Sequence, residues 1–206
     1  MRTKLTRRQL TIVATTSFIS IPTRSAFSDT SPRTLKFLDK DYVLRAEENG
    51  NLFMFTPTDQ TDLKTRTDMF SVVAYQNVVN YADLQEQKND VLTTFKQPGS
   101  VVFTEKDAPP SPGFRGESFL VTGKGGQGYT DACFSRFTLA SGIGYALVYT
   151  RSFYDANSPG GDSAQALGDW INAKGTGIAS ALLDFTIVLN QTILRDWENS
   201  LSRIAK

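Results

Sequence analysis

Three aspartates, Asp131, Asp155 and Asp162, fall on or beside one long stretch that also carries Tyr145, Tyr149 and Tyr154. Two carboxylates suffice to hydrolyse a glycan, one giving a proton while the other acts as base or nucleophile, and tyrosines beside them would stack on sugar rings. This is the enzyme chemistry the composition leaves open. The chain has no histidine and one cysteine, Cys133. Ser-His-Asp and Cys-His catalysis are therefore excluded, as are the usual zinc, copper and non-haem iron sites, which need imidazole or several thiolates. Among metals, only an oxygen-ligand cation such as calcium stays compatible. Solvated loop acids explain the three aspartates better, so no residue is assigned a catalytic, metal-binding or cofactor-binding role.

Cys133 lies in Asp131-Ala132-Cys133-Phe134-Ser135, whose alternation predicts a strand and a buried, inert thiol. A lone cysteine forms no internal disulfide. The run Gly123-Lys124-Gly125-Gly126-Gln127-Gly128 satisfies G-x-G-x-x-G. A dinucleotide site needs a helix to follow, with its N-terminus on the pyrophosphate. Here Tyr129 to Leu139 alternates with period two, so the run is read as a hairpin loop.

The elements around these residues are read from periodicity and turn chemistry. Lys40–Ala46 and Leu52–Phe55 predict two strands joined at Glu48-Asn49-Gly50-Asn51, because Asn-Gly tolerates the positive φ of a tight hairpin. Met69–Tyr75 predicts a third strand after a polar loop. Asn80 is placed to cap a helix, with Asp83 at its third position, and apolar spacing continues to Phe95 before Pro98-Gly99 stops it. Short strands follow at Ser100–Thr104 and Arg115–Thr122, separated by the stiff loop Ala108-Pro109-Pro110-Ser111-Pro112-Gly113. Tyr129–Ala140 and Ile143–Tyr154 form a long hairpin, the second strand setting Tyr145, Leu147, Tyr149, Arg151 and Phe153 on one face.

Asp162 or Ser163 caps a further helix carrying Leu167, Trp170 and Ile171, which Gly175 and Gly177 are expected to break or bend. Ile178, Leu182, Phe185, Leu189, Ile193, Trp197 and Leu201 then recur every three or four residues. They predict a separate amphipathic helix over residues 178–204. Its stripe would cover the protein's own sheet, or a partner through Leu189, Ile193 and Trp197.

The N-terminus carries an address. Basic residues precede a modestly apolar stretch from Leu10 to Ile21, too short at about 18 Å of helix for a hydrocarbon core of about 30 Å. Thr6-Arg7-Arg8-Gln9-Leu10 resembles the twin-arginine export signal, and Ala26-Phe27-Ser28 offers small residues for cleavage after Ser28. The expected organisation is a signal over residues 1–28, a polar leader over 29–37 and one α+β domain over 38–206. Cleavage leaves 17 basic and 21 acidic groups, a net charge of −4, which gives no attraction to nucleic acid or anionic lipid. The expected location is periplasmic or secreted, in a bacterium, without stable membrane insertion.

Leu52-Phe53-Met54-Phe55-Thr56-Pro57, the helix Asn80–Phe95 and the hairpin Tyr129–Tyr154 occur in an order that resembles the PsbP-like family over roughly residues 38–173. That resemblance implies an antiparallel sheet flanked by helices, an α/β/α sandwich, to which the C-terminal amphipathic helix is an addition. It also implies a non-enzymatic role without cofactors, since family members mostly dock on larger complexes or assist their assembly. The expected function is thus an exported accessory protein, inhibitor or immunity protein that docks on a periplasmic protein or on its own copy. Pro109, Pro110 and Pro112, with the C-terminal helix, are the candidate contacts. A small-ligand carrier, with a cleft lined by Phe134, Phe137, Tyr145, Leu147 and Trp170, is the alternative, ahead of the glycan hydrolase.

Overall fold

The computed structural model describes residues 33–140, 142–158 and 162–185. The signal residues Arg7, Arg8 and Ser28, and the tail residues Leu189, Ile193 and Trp197, lie outside them. Eight strands form one antiparallel sheet: β1 (Thr34–Phe37), β2 (Lys40–Glu48), β3 (Leu52–Pro57), β4 (Asp68–Tyr75), β5 (Ser100–Ala108), β6 (Glu117–Gly126), β7 (Tyr129–Ala140) and β8 (Ile143–Tyr154). Helix α1 (Tyr81–Thr94) links β4 to β5, and α2 (Ser163–Asp184) follows β8. The strand order β1-β2-β3-β4-β8-β7-β6-β5 is two meanders joined along β4 and β8, which leaves β5 at the outer edge.

Local chemistry sets many of the boundaries. Asn49 and Gly50 take φ of 52° and 67°, and the Asn51 N–H closes the turn on the Glu48 carbonyl at 3.2 Å. The Asn80 side chain accepts from the Asp83 N–H at 3.0 Å and starts α1. Successive residues of the central strands then bury opposite faces. Phe70, Val72, Tyr145, Leu147 and Tyr149 pack with Phe134, Leu167, Ile178 and Leu182 on the α2 side. Val73, Ala146 and Val148 pack with Leu84, Val91, Leu92 and Phe137 on the α1 side.

The expected α/β/α sandwich is corrected. Strand makes up 48% and helix 26% of the described residues, so the sheet dominates. The helices share one half of it, α2 over β7 and β8 and α1 over β6 and β7. The other half is closed by the end of α2, where the Phe185 ring lies 5.0 Å from Phe70, and by its own first hairpin. The Phe37 ring on β1 lies 5.0 Å from Phe70 on β4 and 5.3 Å from Tyr149 on β8. Three strand steps in a flat sheet would separate β1 from β4 by about 14 Å, so the sheet curls until its first hairpin closes over the core.

Two expected boundaries also move. Residues 34–37, assigned to the polar leader, pair with β2 as β1, from Thr34 opposite Val43 to Phe37 opposite Lys40. Four residues are too few to show a period. Helix α2 runs unbroken through Gly175 and Gly177 to Asp184, rather than restarting at Ile178. Each glycine costs about 1 kcal/mol against alanine, which the helix bears through its buried residues Leu167, Ile178 and Leu182 on either side. Gly175 is buried on the sheet side of the helix, where an added Cβ would already touch the Phe134 ring at 3.7 Å. No helix among the described residues is long and apolar enough to cross a membrane.

Candidate functional site

β5 hydrogen-bonds β6 along one side, and among the described residues no strand pairs with its other side. The register runs Val101 opposite Gly123, Val102 opposite Thr122, then Thr104 opposite Val121, so Phe103 is the extra residue of a bulge. Val101 and Phe103 stay 46% and 43% exposed, unusual for apolar residues side by side on an open edge. Gly123, the first glycine of the G-x-G-x-x-G run, is their seat: an added Cβ would stand 2.9 Å from the Phe103 ring and 3.0 Å from Val101.

Beside this edge a groove of about 470 Å³ runs between β5, β6 and α2. α2 supplies Ile171, Gly175, Ala179 and Leu183, one residue per helical turn. Phe103, Phe119 and Val121 line the sheet side and Phe134 lies among them. Ala108 and Lys106 continue the lining towards the loop after β5. That loop holds Pro109, Pro110 and Pro112 exposed, and a short bridge between Ser111 and Phe114 braces it. None of the three prolines lines the groove; Pro110 lies beside Gly116, next to Tyr81 of α1.

Two ionic clusters, each built on one buried charge, flank the core. Lys88 of α1 is 2% exposed and donates to Glu105 at 2.7 Å and to Asp107 at 2.9 and 3.0 Å. Burial disfavours the Lys88 charge, but the two carboxylates outweigh it and raise its pKa; in return Lys88 and Ser118 hold Asp107 below the usual carboxylate range against a partial desolvation. This clasp fastens the far half of β5 to α1.

The second cluster centres on Asp68, 2% exposed at the start of β4. The Tyr149 hydroxyl donates to Oδ1 at 2.5 Å, Arg151 to Oδ2 at 2.7 Å and Gln60 to Oδ2 at 3.4 Å. Burial alone would raise the Asp68 pKa, but Tyr149 and Arg151 bring it below the ordinary value. Burial and the neighbouring carboxylate push the Tyr149 hydroxyl far above its own. Asp68 stands opposite Arg151 in the β4–β8 register, so the cluster ties the two meanders together. Sequence reasoning placed Asp68 in a polar loop, because its partners lie 81 and 83 residues away.

The candidate acids do other work. Asp162 caps α2 by accepting from the Gln165 N–H at 2.9 Å, and Asp155 accepts from the Ser163 N–H at 3.2 Å. Asp131 sits half-buried on β7, where desolvation raises its pKa. Tyr145 and Tyr149 are enclosed, and Tyr154 donates to the Arg66 carbonyl at 2.8 Å. Burial pushes the Cys133 thiol up to about 12, consistent with an inert side chain. Of the five residues expected to line a cleft, Phe134 borders the groove. Phe137 lies under α1, Tyr145 and Leu147 are closed in the core, and Trp170 packs against Tyr149 and Phe153. The exposed pair on β5 is absent from the sequence-based candidates, because its exposure follows from the strand order that leaves β5 outermost.

No protein-family model matches the chain, and no curated protein matches its sequence. Among solved structures, one similar chain is PA94 of Pseudomonas aeruginosa, a protein of unknown function. It is 12% identical, with a TM-score of 0.39, over 73% of this chain and 95% of that one. A likeness so slight carries nothing about fold or activity from one to the other.

Proposed function

We propose that this chain is an exported, non-enzymatic accessory protein that receives a protein partner on the β5 edge and the groove beside it. The observation that carries this reading is the nine-residue edge strand itself, with Val101 and Phe103 exposed above an apolar groove. An open edge offers main-chain donors and acceptors to an incoming strand, and the groove offers it a place for side chains. Thr6-Arg7-Arg8 and the small residues before Ser28 support periplasmic delivery through the twin-arginine route. The groove volume of about 470 Å³ also suits a small ligand, so carriage is the second reading.

Native mass spectrometry of protein purified from the periplasm of its own host separates these readings. The docking reading expects a chain beginning at Asp29 with a co-purifying protein, lost in the double variant Val101→Lys, Phe103→Glu and retained in an exposed control such as Lys96→Gln. A bound small mass in place of a protein would favour carriage. A bare monomer in the wild type would remove the docking reading, and a chain still bearing residues 1–28 would remove the export reading.

A further inference from the structure

The groove is bordered by one cation, Lys106, and two acids, Asp107 and Glu117. The chain without residues 1–28 carries −4, yet the acids nearest β5 are already engaged. Glu105 and Asp107 pair with Lys88, 2.7 and 2.9 Å from its nitrogen, and Asp107 also borders the groove. Glu117, at the groove, is held by Arg136 at 2.8 Å. Lys106 stands opposite Phe119 and lines the groove on the α2 side, exposed and in no ion pair among the described residues. Both acids at the groove are thus paired within the chain, and the Lys106 cation is the charge left for an incoming strand.

Resting on the docking reading above, we infer that the strand received by β5 is an extended acidic–apolar segment. It lies antiparallel to β5, as every pairing in this sheet does, with a carboxylate opposite Lys106. Side chains of an added strand alternate between faces, so its next residues on the α2 side fall beside Thr104 and Val101. Those positions take apolar side chains, which cover Val101 and Phe103 and enter the groove. A basic residue opposite Lys106 would set like charges directly across a strand pair, which is unfavourable.

The test uses the chain from Asp29 to Lys206, isotope-labelled, and two end-blocked seven-residue peptides of alternating valine and threonine. They differ only at the residue placed for Lys106, glutamate in one and lysine in the other. Amide shifts are expected along Ser100–Ala108, with the glutamate peptide bound about fivefold more tightly. The preference is expected to invert in Lys106→Glu, to vanish in Lys106→Gln, and to shrink as salt is added. Equal binding of both peptides, unchanged by Lys106→Glu, would overturn the charge inference while leaving partner docking in place. Absence of shifts along β5 with either peptide would overturn strand addition itself, and the co-purification of a partner then decides separately whether docking stands.

Discussion

Replacing Asp68 with asparagine should weaken the whole domain. The carboxylate is 2% exposed and accepts from Tyr149 at 2.5 Å and Arg151 at 2.7 Å on different oxygens. Asparagine keeps one acceptor oxygen and turns an amide donor towards a donor, so one of these bonds is lost and the Arg151 charge is left without its partner. Breaking a buried pair from one side costs about 3–5 kcal/mol. The Arg151 side chain is 28% exposed, so water relieves part of that, and about 2–4 kcal/mol is the expected loss. At about 2–4 °C per kcal/mol for a domain of this size, the midpoint should fall by about 5–15 °C. The sign of the pH dependence follows from the lowered pKa of Asp68. Its contribution is fully present above the unfolded value of about 3.9 and is lost as pH falls through the folded value. Urea unfolding of wild type and Asp68→Asn at pH 7 and pH 3 measures both effects. A gap below about 1 kcal/mol at pH 7, or one that widens on acidification, would refute the argument.

Two further outcomes follow from the buried groups. Lys88→Met should leave stability within about 1 kcal/mol of wild type, because the apolar chain fills the same space and water solvates Glu105 and Asp107, 39% and 40% exposed. Lys88→Ala, which leaves a void, should lose about 2–3 kcal/mol in the same urea titration. Cys133, with its thiol raised to about 12, should resist a thiol reagent at pH 8 in the folded chain and react completely in urea; rapid labelling of the native protein would place the side chain nearer the surface.

How much of this was legible depended on how local the determining chemistry is. Asn49-Gly50 and Asn80 with Asp83 each close contacts within four residues, and the structure places the hairpin and the cap where those residues stand. The alternation of Tyr145, Leu147 and Tyr149 against Ala146 and Val148 likewise separates the two sheet faces. The misread features are settled at a distance. Thr34–Phe37 becomes a strand only because β2 lies beside it, and the helix continues through Gly175 because Leu167, Ile178 and Leu182 on both sides of it are buried against the sheet. The candidate site belongs to the same group. That Val101 and Phe103 are exposed follows from strand order, which leaves β5 outermost, and no local pattern shows which strand ends a sheet.

That strand order divides the chain in an unusual way. Within each meander, neighbouring strands are also neighbours in sequence; β4 with β8 is the exception, bringing together residues as far apart as Asp68 and Arg151. Closing so long a loop costs more entropy than closing the hairpins within each half. A cut between Tyr75 and Asn80 would therefore sever no strand pair, and α1 would remain with β6 and β7, on which it packs. The two pieces would meet along eight paired residues with the Tyr149–Asp68–Arg151 contact at one end. The protein is in this sense two complementary fragments held by a tether, and its reassembly from them would depend on concentration.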